Sequence, residues 1–201
     1  MGGDKSRDQG SGIRDQGSGI RDQGSGAILT IGLPKDDEYA PAFERYVARV
    51  RAISQPLEEL SAQRARVLAR LSPLTDEQAQ FRYAPDKWSV KDLIGHMCDT
   101  ERIFAYRLLR IGRGDTTPLP GFEENDYARA AGAHQRPFSD LLAEWTLIRD
   151  GTSALASSLP DADWTNRGTS NDAPITARAL LYIILGHTEH HLAVLADRYR
   201  V

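Results

Sequence analysis

The chain has 201 residues, of which 40% are hydrophobic and 26% charged, a composition typical of one globular domain rather than a disordered chain. Its formal net charge of -3 provides no positive field that would attract nucleic acid or an anionic membrane, so we expect neither partner. Cys98 is the only cysteine, which excludes an intramolecular disulfide and favours a cytoplasmic location. No apolar stretch reaches the roughly 20 residues that cross a bilayer.

The first part of the chain, residues 1–33, is predicted to be a disordered low-complexity tail. The block Arg-Asp-Gln-Gly-Ser-Gly-Ile begins at Arg7, is repeated from Arg14 and starts again at Arg21. It cannot form a coiled-coil seam, because isoleucine is its only apolar residue and it contains two glycines. Tandem copies of the heptanucleotide CAGGGAT translate into this block. Our hypothesis is that residues 7–26 are a translated DNA repeat without a function of their own.

The domain proper, residues 34–201, is predicted to contain four amphipathic helices and no strand. Segment 34–53 is predicted to be partly helical, and the four helices follow at about 54–72, 89–111, 139–159 and 176–199. Ser89 and Asp92 fit a capping box at the start of the second helix. The long connection 112–137 is able to run back along that helix, so the second and third helices can lie parallel. The fold class is therefore all-α, a four-helix bundle.

The histidines are the candidate functional residues. His187 and His191 are four residues apart, which places both on one helical face at a spacing that suits two ligands of one metal ion. His96 lies among apolar residues of the second helix and supplies a third ligand if the second and fourth helices are neighbours. The alternative is that the pair is merely exposed or hydrogen-bonded. Thr188 stands where a zincin protease requires glutamate, which disfavours that class.

An ordered set of motifs in the domain resembles the DinB-like (YfiT-like) superfamily. The motifs are Trp88-Ser89-Val90-Lys91-Asp92-Leu93-Ile94-Gly95-His96, Asp99-Thr100-Glu101-Arg102, Leu119-Pro120-Gly121-Phe122-Glu123-Glu124-Asn125-Asp126-Tyr127 and Gly186-His187-Thr188-Glu189-His190-His191. The resemblance implies an up-down-down-up bundle, often a homodimer, with a metal site made by three histidines. The matching positions here are His96, His187 and His191.

The resemblance specifies the metal site, but it leaves the reaction open. The superfamily includes S-transferases that use a low-molecular-weight thiol and proteins described as metal-dependent hydrolases, so we expect a small-molecule substrate and a divalent metal ion. Three imidazoles suit several ions, of which zinc or nickel is expected in a purified sample. Asp99 is a candidate hydrogen-bond acceptor or proton carrier near the ligands, or else a salt-bridge residue. A non-catalytic metal-binding or dimerisation module and a bundle without metal are also compatible with the sequence.

Overall fold

The predicted helices are present in the computed structural model, which describes residues 31–201. In chain order they are α1 (Glu44–Val47), α2 (Pro56–Leu71), α3 (Asp76–Ala79), α4 (Val90–Gly112), α5 (Glu124–Ala131), α6 (Phe138–Ser157) and α7 (Ala177–Val194), the last continued by a π-helical turn, Leu195–Tyr199. The four long helices α2, α4, α6 and α7 confirm the all-α bundle. Residues 1–30, with the predicted repeat, lie outside the described residues.

The starts of the long helices follow from their local sequences. The Ser89 side chain accepts a hydrogen bond from the backbone N–H of Asp92 at 3.1 Å, and the Asp92 carboxylate accepts one from the backbone N–H of Ser89 at 3.0 Å. This is the predicted capping box of α4. Helix α2 begins at Pro56, whose missing N–H is not needed in the first turn. The Thr176 hydroxyl caps α7 by accepting from the N–H of Ala179.

Helices α4 and α6 are parallel neighbours. Near their starts, the Cys98 thiol lies 3.9 Å from the carbonyl oxygen of Leu141. Near their ends, Arg113 donates a hydrogen bond to the Ser158 hydroxyl at 3.3 Å. The long connection between them therefore runs back along the bundle, as its length permits.

Helix α7 runs antiparallel to α4 and parallel to α2. The Tyr199 hydroxyl, just beyond α7, donates to the carbonyl oxygen of Trp88, just before α4. Gln63 in the middle of α2 donates to the carbonyl oxygen of Leu185 in the middle of α7, and Arg70 near the end of α2 donates to the carbonyl oxygen of Val201, beyond the end of α7. The direction of the four helices is thus up-down-down-up, as the family resemblance implied.

Helix α7 is the central helix of the bundle. Together with its π-helical turn it is long and apolar enough to pass as a membrane span, but 72% of the apolar window is buried inside the protein. That burial is typical of the core helix of a globular domain. Its apolar side chains pack into both clusters of the hydrophobic core.

A short β-hairpin, β1 (Arg167–Ser170) and β2 (Ala173–Thr176), was not predicted. The two strands pair antiparallel, and Asn171 and Asp172 form the turn with φ of 52° and 60°. Asn and Asp tolerate this left-handed conformation, and a two-residue turn of this kind is a known hairpin signal. The prediction of no strand was wrong because the strands are only four residues long and lack a clear apolar alternation.

A buried polar cluster joins the four long helices. Arg149 of α6 donates to both carboxylate oxygens of Glu101 on α4, at 2.7 and 2.8 Å. The same guanidinium donates to the side-chain oxygen of Gln63 on α2 at 2.7 Å and to the hydroxyl of Thr188 on α7 at 2.9 Å. Arg149, Glu101 and Gln63 are all buried. A buried bidentate pair of this kind is stabilising only while both partners are present.

Replacing Glu101 with alanine should therefore destabilise the fold strongly, because it leaves the buried Arg149 cation unpaired. We expect Glu101→Ala to lower the free energy of unfolding by about 3–5 kcal/mol in urea denaturation. The matched control is Asp150→Ala, at the next position of α6, which removes a partly exposed ion pair with Arg64 and should cost less than about 1 kcal/mol. Equal effects of the two substitutions would contradict this role for the cluster.

Candidate metal centre

The structure brings the three predicted ligands together. The Nε2 atom of His187 lies 3.1 Å from Nε2 of His96 and 3.0 Å from Nε2 of His191. Potential ligand atoms of the three side chains lie within 4.8 Å of one another, and all three residues are buried. Helices α4 and α7 therefore present three imidazole nitrogens to one point.

Burial keeps these imidazoles neutral. It is the largest cause that lowers the pKa of His96 to about 4, and the nearby His190 lowers it further. Burial also holds the pKa values of His187 and His191 well below 6.5, and the neighbouring histidines add to the effect. A neutral imidazole is the form that binds a metal ion.

The arrangement fits a metal ion better than a hydrogen-bonded cluster. One ring nitrogen carries either one N–H or one lone pair, so Nε2 of His187 cannot make two good hydrogen bonds to the other two rings. Three Nε2 lone pairs directed at one point match the ligand set of a catalytic zinc-type site. The Nδ1 atom of His96 faces the Thr100 hydroxyl at 3.4 Å, a contact that favours Nε2 as the ligand atom. Sequence reasoning missed Thr100, although its position four residues after His96 was a usable signal.

A glycine precedes the first histidine of each ligating helix, and both glycines permit close packing. A Cβ atom at Gly186 would lie 2.2 Å from the carbonyl oxygen of Tyr46, and one at Gly95 would lie 2.6 Å from the Cβ of Ala133. The segment before α2 can therefore rest directly on α7, which places the Tyr46 ring 5.3 Å from the ring of His187. The predicted partly helical segment thus forms one wall of the site.

Two adjoining pockets open at the histidine cluster. The first, of about 280 Å³, is lined by His96 and His191, and the second, of about 250 Å³, is lined by His187. Both pockets are also lined by Arg45, Tyr46 and Glu124. The cluster is therefore buried on the helix side and accessible from the pocket side.

Glu124, the first residue of α5, places a carboxylate at the mouth of the site. Its Oε2 atom lies 3.9 Å from Nε2 of His96, and its side chain is half exposed. The hairpin helps to position this segment, since the backbone of Leu119 exchanges hydrogen bonds with Thr169 and Asn171. The sequence analysis did not single out Glu124, although the motif from Leu119 to Tyr127 contained it.

Asp99 is not brought to the histidine cluster. Its carboxylate lies 3.6 Å from Arg102, and burial raises its pKa. The structure therefore favours the salt-bridge interpretation of Asp99 over a role near the ligands. Glu101, two residues further on, pairs with Arg149 of another helix. His190 lines the first pocket beside the cluster.

The sequence and structural comparisons agree with this fold. Residues 59–195 match the DinB superfamily, to which the chain belongs. A proposed metal-dependent hydrolase of Geobacillus thermodenitrificans (strain NG80-2) is 28% identical over 132 residues, which are 62% of this chain and 71% of that protein.

The solved structure of YfiT from Bacillus subtilis superposes with a TM-score of 0.61 at 20% identity, over 83% of this chain and 91% of that one. YfiT is described as a probable metal-dependent hydrolase with an unusual four-helix-bundle topology. At this identity the likeness concerns the fold, and it confirms the predicted bundle.

Burial of neutral histidines predicts acid sensitivity of the metal-free protein. Unfolded histidine binds a proton at about pH 6.5, whereas the folded pKa values lie lower, so the unfolded state binds more protons as the pH falls. The free energy of unfolding should therefore be highest above pH 6.5 and decrease towards pH 4. Urea denaturation at several pH values measures this, and His187→Gln should reduce the slope. A stability that stays constant between these pH values would contradict the assignment.

Proposed function

We propose that this protein is a metal-dependent enzyme in which His96, His187 and His191 hold one divalent cation. The observation that carries the proposal is the convergence of three buried, neutral imidazole nitrogens beside two open pockets. Zinc or nickel is the ion we expect, since both accept imidazole ligands. We also propose that the protein acts as a homodimer in the cytoplasm and that its functional part is the domain from residue 34.

The chain's own residues have separate roles around this site. A divalent cation lowers the pKa of a bound thiol or water and thereby supplies a nucleophile near neutral pH. Glu124 holds a carboxylate where it can accept the proton that the nucleophile releases. Arg45 donates to the Tyr46 hydroxyl at 2.8 Å and so holds the aromatic ring that shields His187 from water. Thr100 orients the ring of His96.

The first candidate reaction is transfer of a low-molecular-weight thiol to an electrophilic small molecule. A transfer reaction needs room for two reactants, and the two pockets flank the histidine cluster, one beside His96 and His191 and the other beside His187. In this reaction the thiolate sulfur forms a bond to the electrophilic carbon, the leaving group departs with the bonding electrons, and Glu124 receives the thiol proton.

The second candidate is hydrolysis of a small molecule, in which water takes the place of the thiol. The descriptions of the Geobacillus and Bacillus relatives as metal-dependent hydrolases favour it. The same three histidines and Glu124 would serve both reactions. A purely structural metal site is less well supported, because structural ions have closed coordination whereas this cluster borders open pockets.

Elemental analysis of protein purified without a His tag or chelator tests the proposal. We expect about one equivalent of divalent metal per chain, because three imidazoles form a typical catalytic site. The substitutions His96→Ala and His187→Ala should abolish retention, since two imidazoles bind a divalent ion much more weakly. His190→Ala is the matched control, because its ring lies beside the cluster but outside the three converging nitrogens, and it should retain the metal.

Activity measured on the same preparations identifies the nucleophile. Thioether formation from cysteine and 1-chloro-2,4-dinitrobenzene, with release of chloride, would indicate thiol transfer. Release of p-nitrophenol from p-nitrophenyl acetate without thiol would indicate hydrolysis. Either activity should be lost in the two ligand variants. A wild-type protein that holds no metal even after reconstitution with zinc or nickel would contradict the proposal.

A further inference from the structure

Arg107 of α4 is a buried cation without a partner of opposite charge. The other buried charged side chains in residues 31–201 all form ion pairs: Glu38 with Arg178, Lys91 with Asp76, Asp92 with Arg82, and Glu101 with Arg149. Arg107 is as buried as these, with 4% of its surface exposed, yet within the described residues it makes no ion pair. An unpaired buried cation is costly unless a ligand completes its surroundings.

The guanidinium group of Arg107 is held in place by its contacts, and some of its N–H donors remain unpaired within the described part of the chain. One nitrogen donates to the carbonyl oxygen of Pro120 at 2.7 Å. The group also lies 5.7 Å from the centre of the Phe104 ring and 6.0 Å from that of Phe122. None of its nitrogens is both enclosed and unpaired, so the remaining N–H donors have access to pocket space. Its pKa is lowered by burial, as expected for a cation that lacks an anionic partner.

Arg107 lines the second pocket, the one that His187 lines, and also a further pocket of about 270 Å³ that contains no histidine. The ring of Phe104 connects the two residues, since its centre lies 5.9 Å from the His187 ring and 5.7 Å from the Arg107 guanidinium. Aromatic side chains provide the remaining apolar wall: Phe43, Phe104 and Phe122. The pocket therefore has a cation at one end, the histidine cluster at the other and an apolar surface between them.

The acidic residues of this pocket do not neutralise Arg107. Glu123 accepts hydrogen bonds from the backbone and side-chain nitrogens of Asn125, at 3.1 Å each. Glu124 points towards His96 rather than Arg107, with its carboxylate 3.9 Å from that ring. The Arg107 guanidinium is thus left free to receive an anion from the pocket, whose lining also includes Arg45, the residue that donates to the Tyr46 hydroxyl.

We propose that Arg107 anchors the carboxylate or other oxyanion of a small organic substrate whose apolar body lies against Phe104 and Phe122. A guanidinium presents a planar pair of donors that matches an oxyanion, and the aromatic wall suits an aryl or alkyl group. The reaction that follows rests on the proposed function, whereas the binding of the anion does not. The substrate class is therefore an apolar organic acid or phosphate ester.

Binding of benzoate and phenyl phosphate, measured by isothermal titration calorimetry, tests this inference. Benzamide serves as the neutral isostere of benzoate. In the wild type we expect at least one of the two anions to bind more tightly than benzamide, and the preferred anion separates carboxylate from phosphate. Arg107→Gln should weaken binding of that anion by about tenfold or more, because a charge-assisted bidentate contact is lost. Arg113→Gln, an exposed arginine at the end of the same helix, is the matched control and should bind like the wild type.

The comparison is repeated on protein freed of metal with a chelator, because a metal ion could itself bind the anion. Anion binding that depends on Arg107 in metal-free protein would support the subsite. Failure of the purified protein to retain metal would count against the proposed function but not against this subsite. If Arg107→Gln fails to fold, Arg107→Lys is tested instead. It keeps the charge but loses the planar pair of N–H donors, and it should still weaken binding several-fold. Equal binding to wild type and both variants, or no preference over benzamide, would overturn the inference.

Discussion

The buried contact between Arg149 and Glu101 is the interaction on which the rest of the bundle depends. It joins α6 to α4, and the same guanidinium reaches Gln63 on α2 and Thr188 on α7. Replacement of a buried ion pair by apolar residues is often tolerated, so stability alone does not explain it. The four side chains can meet only if each helix has one particular rotation about its axis and one particular position along that axis. We infer that the cluster chiefly specifies the register of the bundle.

That register decides where the ligands lie. Thr188 follows His187 directly, so the hydrogen bond from Arg149 determines how far α7 is turned towards α4. Gln63 donates to the carbonyl oxygen of Leu185 and restrains the same helix from the α2 side. With α7 held in this way, Nε2 of His187 lies at hydrogen-bond distance from Nε2 of both His96 and His191. A preorganised site of this kind loses little entropy when it binds a metal.

The sequence predicted most of the helical framework and the placement of His187 and His191 on one helical face, because both depend on local periodicity. The place of His96 beside them depends on the packing of two helices and was implied by the family resemblance. The capping residues of α4 and the four-residue spacing of His187 and His191 are local signals that need no tertiary information. The contact of Glu124 with His96 and the choice of Arg149 as the partner of Glu101 depend on residues far apart in the chain. The hairpin is local, but its strands are too short to give a clear pattern. Helical spacing alone does not choose between the two roles of Asp99, whose side chain turns towards Arg102 on the same helix.

The most direct test of the account is X-ray absorption spectroscopy of the metal-loaded protein, because it reports the ligands of the ion itself. The account predicts three imidazole nitrogens at about 2.0–2.1 Å and at least one further oxygen from solvent, the pattern of an open catalytic site. The His96→Ala protein, if it still takes up metal, should show one imidazole fewer. A spectrum with fewer than two imidazoles in the wild type, or with ligands dominated by sulfur or carboxylate, would contradict the central claim.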